Sequence, residues 1–275
     1  MKYYWWILIF CCSVFAQQSQ EIVDLHSAVR LENESFEDSY QRYQAKLTWA
    51  GIATRESKNV YDYAKPLDDL DYSEAPQWKN YEQVVKRFKK LRDARFIYTT
   101  NVKFPRRCSW LYPIDGCAAR AALTSQNAAL WGYKRPAKIF VFGNLKVDTE
   151  YSPKGYVEWF YHVAPIVAAN DKYYVLDPSI EQSRPLTVRE WLQRMTNDLQ
   201  SVKLTVSNPY TLYPQSPMNN TDPLEDARAL WEQHIFLERE WNLLERLQMN
   251  PQEKLGEKPP WKQKMVNNHK QKDSL

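Results

Sequence analysis

Three side chains in this sequence could together perform nucleophilic chemistry: the thiol of Cys117, the imidazole of His162 and the carboxylate of Asp177. Cys117 follows Asp115-Gly116 and opens an alanine-rich run. His162 lies within Trp159-Phe-Tyr-His162-Val-Ala, and Asp177 within Leu176-Asp177-Pro178-Ser179. A Cys-His-Asp set supplies a nucleophile, a group that moves its proton and a carboxylate that orients the imidazole, provided the fold brings all three together.

The elements around these residues decide whether that happens. Asp115 is a good N-cap, Gly116 permits a tight turn, and Ala118 to Leu130 is a strong helix former ending at Gly132. Cys117 then falls in the first turn of a helix, where unpaired N–H groups and the positive end of the dipole favour a thiolate. The small residues Ala118, Ala119, Ala121 and Ala122 fit close packing against a sheet. A cysteine so placed is also, more commonly, a small buried hydrophobe.

Ala137 to Phe142 reads as a strand buried on both faces and ended by Gly143-Asn144. Trp159 to Val167 and Lys172 to Asp177 read as two further strands joined by a hairpin. If the connecting loop holds an even number of residues, His162 and Asp177 project from the same face. A four-residue loop, 168 to 171, sets them directly opposite, and a two-residue loop sets them diagonally. A carboxylate there fixes the imidazole tautomer. A structural histidine bonded to a strand-end aspartate needs the same geometry.

The chain has 275 residues, 44% of them apolar, with 11 Trp and 18 Tyr, which argues for a folded protein; a formal charge of +4 identifies no partner. Lys2, the uncharged stretch Trp5 to Phe15 and Val14-Phe15-Ala16 read as a secretory signal cleaved after Ala16. The protein is then secreted or periplasmic, with no membrane anchor after cleavage. Cleavage leaves Cys108 and Cys117. In an oxidising compartment such a pair is usually a disulfide, which would preclude a nucleophilic role for Cys117.

Residues 17 to 75 carry twelve carboxylates against six cations, net −6, and residues 76 to 112 carry ten cations against two carboxylates, net +8. The acidic segment, with a weak helical pattern from Ser35 to Trp49, is a solvated extension or a pro-region covering the site. Residues 79 to 95 read as a helix with one buried face (Tyr81, Val84, Val85, Phe88, Leu91) and a basic outer face. No nucleic-acid motif accompanies it, so nucleic acid is not expected as a partner. A solvated face or a dock for the acidic segment is expected, with Tyr43, Leu47, Trp49, Tyr61 and Tyr63 as apolar anchors.

Downstream, Thr187 to Leu199 reads as a short helix and Val202 to Val206 as a strand. Asp222-Pro-Leu-Glu225 opens a long amphipathic helix over residues 222 to 250, with Ala227, Leu230, His234, Leu237, Trp241 and Leu244 as its stripe. His234 reads as a packed core histidine. Residues 251 to 275 read as a disordered basic tail. No metal-ligand cluster, phosphate loop or dinucleotide fingerprint is present, so neither metal nor other cofactor is expected.

Four ordered blocks, Asp115-Gly-Cys117-Ala-Ala-Arg120, Phe142-Gly-Asn144-Leu-Lys146, Trp159-Phe-Tyr-His162-Val-Ala164 and Leu176-Asp177-Pro-Ser179, resemble the bacterial protein-glutaminases. These secreted enzymes deamidate glutamine side chains within proteins. The resemblance covers about residues 105 to 215, within a catalytic domain read over 76 to 215. It implies an α+β fold with a papain-like, transglutaminase-like core, in which the Cys-bearing helix packs on an antiparallel sheet. Cys117 matches the nucleophile, His162 the base and Asp177 its orienting carboxylate; Asn144, Trp159 and Tyr161 are candidates for substrate binding. Protein or peptide substrates with exposed glutamine are implied, and an N-terminal pro-region. Secreted relatives rely on disulfides, but here the only mature pair would consume the nucleophile, so Cys108 and Cys117 are expected free. Pro165 places the His162 strand at an edge or leaves it locally unpaired. A transglutaminase or cysteine protease shares the acyl-enzyme half-reaction, and a non-catalytic secreted binding protein is the alternative of another class.

Overall fold

The computed structural model describes residues 27–49 (side chains to 46), 58–98, 105–110, 113–218 and 224–255. The signal peptide, the Asp222-Pro223 helix start and the tail beyond residue 255 lie outside the described residues, as do the side chains of Leu47 and Trp49.

Helices α1 (Phe36–Trp49), α2 (Tyr81–Asp93), α3 (Cys117–Leu130), α4 (Val188–Gln193), α5 (Leu224–Arg246) and α6 (Pro251–Leu255) surround two sheets. Strands β1 (Arg95–Ile97) and β2 (Arg106–Arg107) form a small pair. Strands β3 (Ala137–Asp148), β4 (Tyr156–Ala169), β5 (Lys172–Val175), β6 (Leu186–Thr187) and β7 (Lys203–Ser207) form a five-stranded antiparallel sheet, order β6-β5-β4-β3-β7. The architecture is α+β, with α3 packed on β4 and α5 packed on α3.

The sheet departs from the sequence reading at β3, which does not stop at Gly143-Asn144. It passes through a bulge between Phe142 and Leu145, where the pairing with β4 slips by one residue, and runs on to Asp148. Gly143 takes φ 148 there, and an added Cβ would meet Val202 at 3.0 Å, so glycine is required by both backbone and space.

The β4–β5 hairpin turns on two residues. Asn170 and Asp171 have φ 50 and 56, and Ala169 pairs with Lys172. Two consecutive left-handed residues of these types match the twist of the flanking strands. The shorter of the two loops considered is therefore the one formed, and it sets position 177 diagonal to position 162.

β4 lies inside the sheet and is not an edge, but its β5 side is covered in two separate pieces. Residues Ile166–Ala169 pair with β5, and the ladder ends one residue later, where Leu176 N–H donates to Pro165 O at 2.8 Å. At the other end of β4, Arg30 N–H donates to Glu158 O at 2.9 Å, and Phe160 N–H to Ala28 O at 3.1 Å. Residues 161–164 thus form a window between two partners. Pro165, with no N–H to offer, sits where the β5 ladder runs out.

Among the described residues, the acidic N-terminal segment is docked on this sheet and not on the basic surface of residues 76–112. Besides the strand-like contact at residues 28–30, Lys65 exchanges two backbone hydrogen bonds with Leu204 on the outer edge of β7, at 2.9 and 2.7 Å. Tyr43 is fully buried against Phe160 and Tyr161, and Tyr61 lies edge-on to Phe142. Burying one such side chain contributes about 1.5–3 kcal/mol, whereas an exposed ion pair such as Arg189–Asp68 contributes about 0–1 kcal/mol. Apolar burial and edge pairing hold the segment. Of the anchors expected, Tyr43 and Tyr61 serve, while Tyr63 is exposed.

α5 turns only part of its expected apolar stripe inward, Leu237 and Leu244 among it. Glu225, Ala229, Glu232, Gln233, Phe236, Leu237, Glu240, Leu243 and Leu244 are buried, while Leu230 is exposed and His234 only half-buried. Two of the buried polar members are bonded across the core: Tyr213 OH donates to Glu232, and Gln233 Nε2 donates to Ser109 Oγ at 2.6 Å. Residues 251–255, read as tail, form α6.

Candidate functional site

Cys117 is the first residue of α3. The N-cap is Gly116 (φ 82), not Asp115, whose Oδ1 instead accepts the Gly116 N–H at 2.8 Å. Phe236 of α5 lies 3.0 Å from where a Gly116 Cβ would stand, so the turn before the thiol has no room for a side chain. Cys117 and Cys108 are both free and buried, which removes the disulfide alternative. Cys108 is engaged elsewhere, with Sγ 3.6 Å from Gln233 Oε1.

The thiol of Cys117 lies at the window in β4. Val163 N–H, which faces the side where β5 has ended, bonds to the sulfur. Burial nevertheless pushes the Cys117 thiol up to about 12. The Arg120 guanidinium and the Val163 N–H pull it down, and the charges of Asp115 and Asp177 push it further up. The thiol is therefore neutral in the chain with its N-terminal segment in place.

His162 and Asp177 meet directly. His162 Nε2 lies 2.7 Å from Asp177 Oδ2, both side chains buried. Asp177 Oδ2 also accepts the Trp191 indole N–H at 3.0 Å, and Oδ1 accepts from Ser179 Oγ at 2.5 Å and Ser179 N–H at 3.2 Å. Burial alone would raise this carboxyl. The charge and hydrogen bond of His162, with those of Ser179, outweigh it and hold Asp177 down at about 2. With Nε2 committed to Asp177, Nδ1 is the nitrogen left for other work, and it has no hydrogen-bond partner among the described residues.

Trp159 stacks on the imidazole (ring centroids 4.7 Å apart, planes within 8°) and is locked by its own N–H donated to Ile114 O at 2.8 Å. Trp191 tilts against the same imidazole, with ring centroids 5.6 Å apart. Tyr161 is buried between Tyr43 and Phe160, and both Tyr161 and Tyr43 lie within electrostatic reach of the thiol. Asn144 is not brought into this group. It is exposed on the β3 bulge and lines a cavity with Phe36, Glu37, Tyr61 and Lys203.

The sequence did not point to Trp191, Tyr43 as a neighbour of the thiol, or the Val163 N–H. Ser179 could have been found, since a serine two residues after an aspartate commonly closes an Asx turn.

Residues 84–195 match the family model described as glutaminase, and this range contains Cys117, His162 and Asp177. A crystal structure of protein-glutaminase is 26% identical, covering 57% of this chain and 87% of its own, with a TM-score of 0.42. The NMR structure of protein-glutaminase from Chryseobacterium proteolyticum is 27% identical, covering 53% and 83%, with a TM-score of 0.40. A crystal structure of pro-protein-glutaminase is 25% identical, covering 73% and 68%, with a TM-score of 0.42. No curated protein sequence matches. Through residues 84–195, which hold all three residues of the site, the chain is similar to the glutaminase family model. That similarity supports a glutamine-deamidating function.

Proposed function

We propose that the chain is a secreted protein-glutamine deamidase working through a Cys117-His162-Asp177 thioester mechanism. The observation that carries the reading is the His162–Asp177 pair. A buried carboxylate 2.7 Å from Nε2 fixes the imidazole and leaves Nδ1 unpartnered, while the thiol stands beside the next residue's N–H.

In this mechanism His162 takes the Cys117 proton as the thiolate attacks the carboxamide carbon of a glutamine side chain. The oxyanion accepts from the Cys117 N–H at the start of α3, where helix N–H groups have no partner in the helix itself. His162 then returns the proton to the departing nitrogen, releasing ammonia and leaving a thioester. Water, deprotonated by His162, attacks the thioester carbon, and breaking the C–S bond yields glutamate and the free thiol. Asp177 stabilises the imidazolium in both halves. No metal or other cofactor enters this scheme, and Trp159 holds the imidazole plane while Tyr161 lines the approach.

The secretory reading rests on Lys2, Trp5 to Phe15 and Ala16. The N-terminal segment acts as a cover: Tyr43 occupies the space beside Tyr161 near the thiol, and residues 28–30 pair with β4 next to the window. The test is to incubate the chain, before and after proteolysis within residues 50 to 76, with a glutamine-bearing protein, and to measure ammonia with and without a primary amine. Ammonia release without cross-linking or chain cleavage is expected, increased by proteolysis and abolished in Cys117→Ala. Amine incorporation would mark a transglutaminase, cleaved peptide bonds a protease, and unchanged turnover in Cys117→Ala would remove the site assignment.

A further inference from the structure

The basic face of α2 is left open once the acidic segment is placed on the sheet. Lys79, Lys86, Lys89, Lys90 and Lys134 are exposed, and among the described residues none of them has a carboxylate within ion-pair distance. The cations are organised by aromatic rings. The Arg87 guanidinium sits 3.9 Å from the Tyr133 ring centroid and 4.6 Å from that of Trp78, and Lys90 Nζ sits 4.1 Å from that of Trp131. Trp78 is itself fixed by its N–H donated to Lys134 O at 3.0 Å. This is a held positive surface in which the rings position the charges.

We propose that this surface is an exosite for acidic stretches of the protein substrate. The inference rests on the deamidase reading for its substrate class but not for the surface itself. Three observations choose an acidic polypeptide as the occupant. The charge is net positive, with Asp93 held by Arg92 and Glu82 the other carboxylate of α2. The chain's own acidic segment is committed to β4 and β7. The faces of Trp78, Tyr133 and Trp131 are already covered by Arg87 and Lys90, which removes the stacking platforms a single-stranded nucleic acid would use.

The position also suits a substrate that reaches both sites. Cys117 is the first residue of α3 and Trp131 caps its last turn, so 14 residues of helix separate the thiol from the patch, about 20 Å at 1.5 Å per residue. An extended peptide covers that distance with roughly six residues. Deamidation replaces a neutral carboxamide with a carboxylate, so each turnover makes the product more acidic. The exosite would therefore hold partly deamidated substrate more firmly than fresh substrate.

The experiment uses the full chain carrying Cys117→Ala, so that binding is read without turnover. Fluorescent 20-residue peptides carry one glutamine and, beyond a gap of six residues, either six glutamates or six lysines. At low salt the glutamate peptide is expected to bind at least tenfold more tightly than the lysine peptide. The triple variant Lys86→Glu, Lys89→Glu, Lys90→Glu is expected to lose that preference, as is the wild-type surface near 0.5 M salt, where charges are screened over a few Å. The milder triple change to Gln, with an unchanged thermal melt, guards against misfolding. Equal binding of the two peptides, or a preference that survives charge reversal, would overturn the exosite. Tighter binding of a single-stranded oligonucleotide of equal charge would also overturn it. If the preference holds while the chain with Cys117 intact releases no ammonia before or after proteolysis within residues 50 to 76, the deamidase reading fails and the surface stands.

Discussion

At the scale of single residues, the site is defined by what surrounds Asp177. The imidazole bonded at 2.7 Å, with donors from Ser179 and Trp191, turns a buried carboxylate, which burial would protonate, into one that stays ionised down to about pH 2. Acid loss of activity above that pH must therefore come from another group. Asp177→Asn keeps the shape but offers an amide where the imidazole N–H needs an acceptor. Ammonia release should fall by about 10²–10⁴-fold with little change in KM. Trp191→Phe tests the less obvious neighbour. It keeps the ring against His162 but removes one charge-assisted hydrogen bond, costing about 1.5–3 kcal/mol in urea denaturation and lowering kcat. Unchanged stability would mean that the indole N–H contributes nothing to holding the carboxylate.

At the scale of elements, the β4–β5 turn fixes the meeting of His162 and Asp177. Asp171 sits at φ 56, where a β-branched side chain is strained. Asp171→Val should cost about 1–2 kcal/mol, and Asp171→Gly should be neutral or better, both read by thermal melting. α5 makes a different prediction. Burial holds Glu232 up at about 8, against the opposing effects of the Tyr213 hydroxyl and Arg228. The folded chain therefore keeps a proton there that the unfolded chain releases near pH 4.5. The stability this contributes is present below that pH and is lost progressively as pH rises through 8, where folding must bury the charge. Glu232→Gln retains an acceptor for Tyr213 without the titration, so its melting temperature should fall less than the wild type's between pH 6 and pH 9. Parallel curves would mean that Glu232 is not buried neutral.

At the scale of the whole molecule, the N-terminal segment shares the sheet and the apolar core with the rest of the chain. Ala28, Tyr40, Tyr43 and Val60 lie in the same apolar cluster as Cys117, Phe160 and Trp191. Its charge is partly consumed within itself, since Arg42 grips Glu34 through two bonds of 2.6 and 2.8 Å and holds that carboxyl near 2. Salt should accordingly loosen it little. Cutting within residues 50 to 76 and releasing the upstream piece should rehydrate Cys117. Iodoacetamide should then alkylate this thiol with a midpoint well below the about 12 imposed by burial. An unchanged alkylation profile would show that the segment does not control the thiol.

Much of this could be read from the residues alone because it depends on local chemistry. The start of α3 follows from Gly116 and the alanine run. The shared face of His162 and Asp177 follows from the two-residue period of a strand and an even loop. The buried face of α2 follows from Val84, Phe88 and Leu91. The larger misreadings concern partners distant in sequence. The β3 bulge continues a strand because β4 supplies the pairing that Gly143-Asn144 would otherwise end. α5 turns Glu232, Gln233 and Glu240 inward because Tyr213, Ser109 and nearby arginines compensate the carboxyl and amide groups. The acidic segment bypasses the basic helix because open backbone edges and aromatic burial on the sheet outweigh screened surface charge. The sequence by itself determined which residues could react and how their own elements present them. Only the tertiary structure decided what covers the thiol, because that depends on which backbone edges and apolar faces remain unpaired once the sheet has formed.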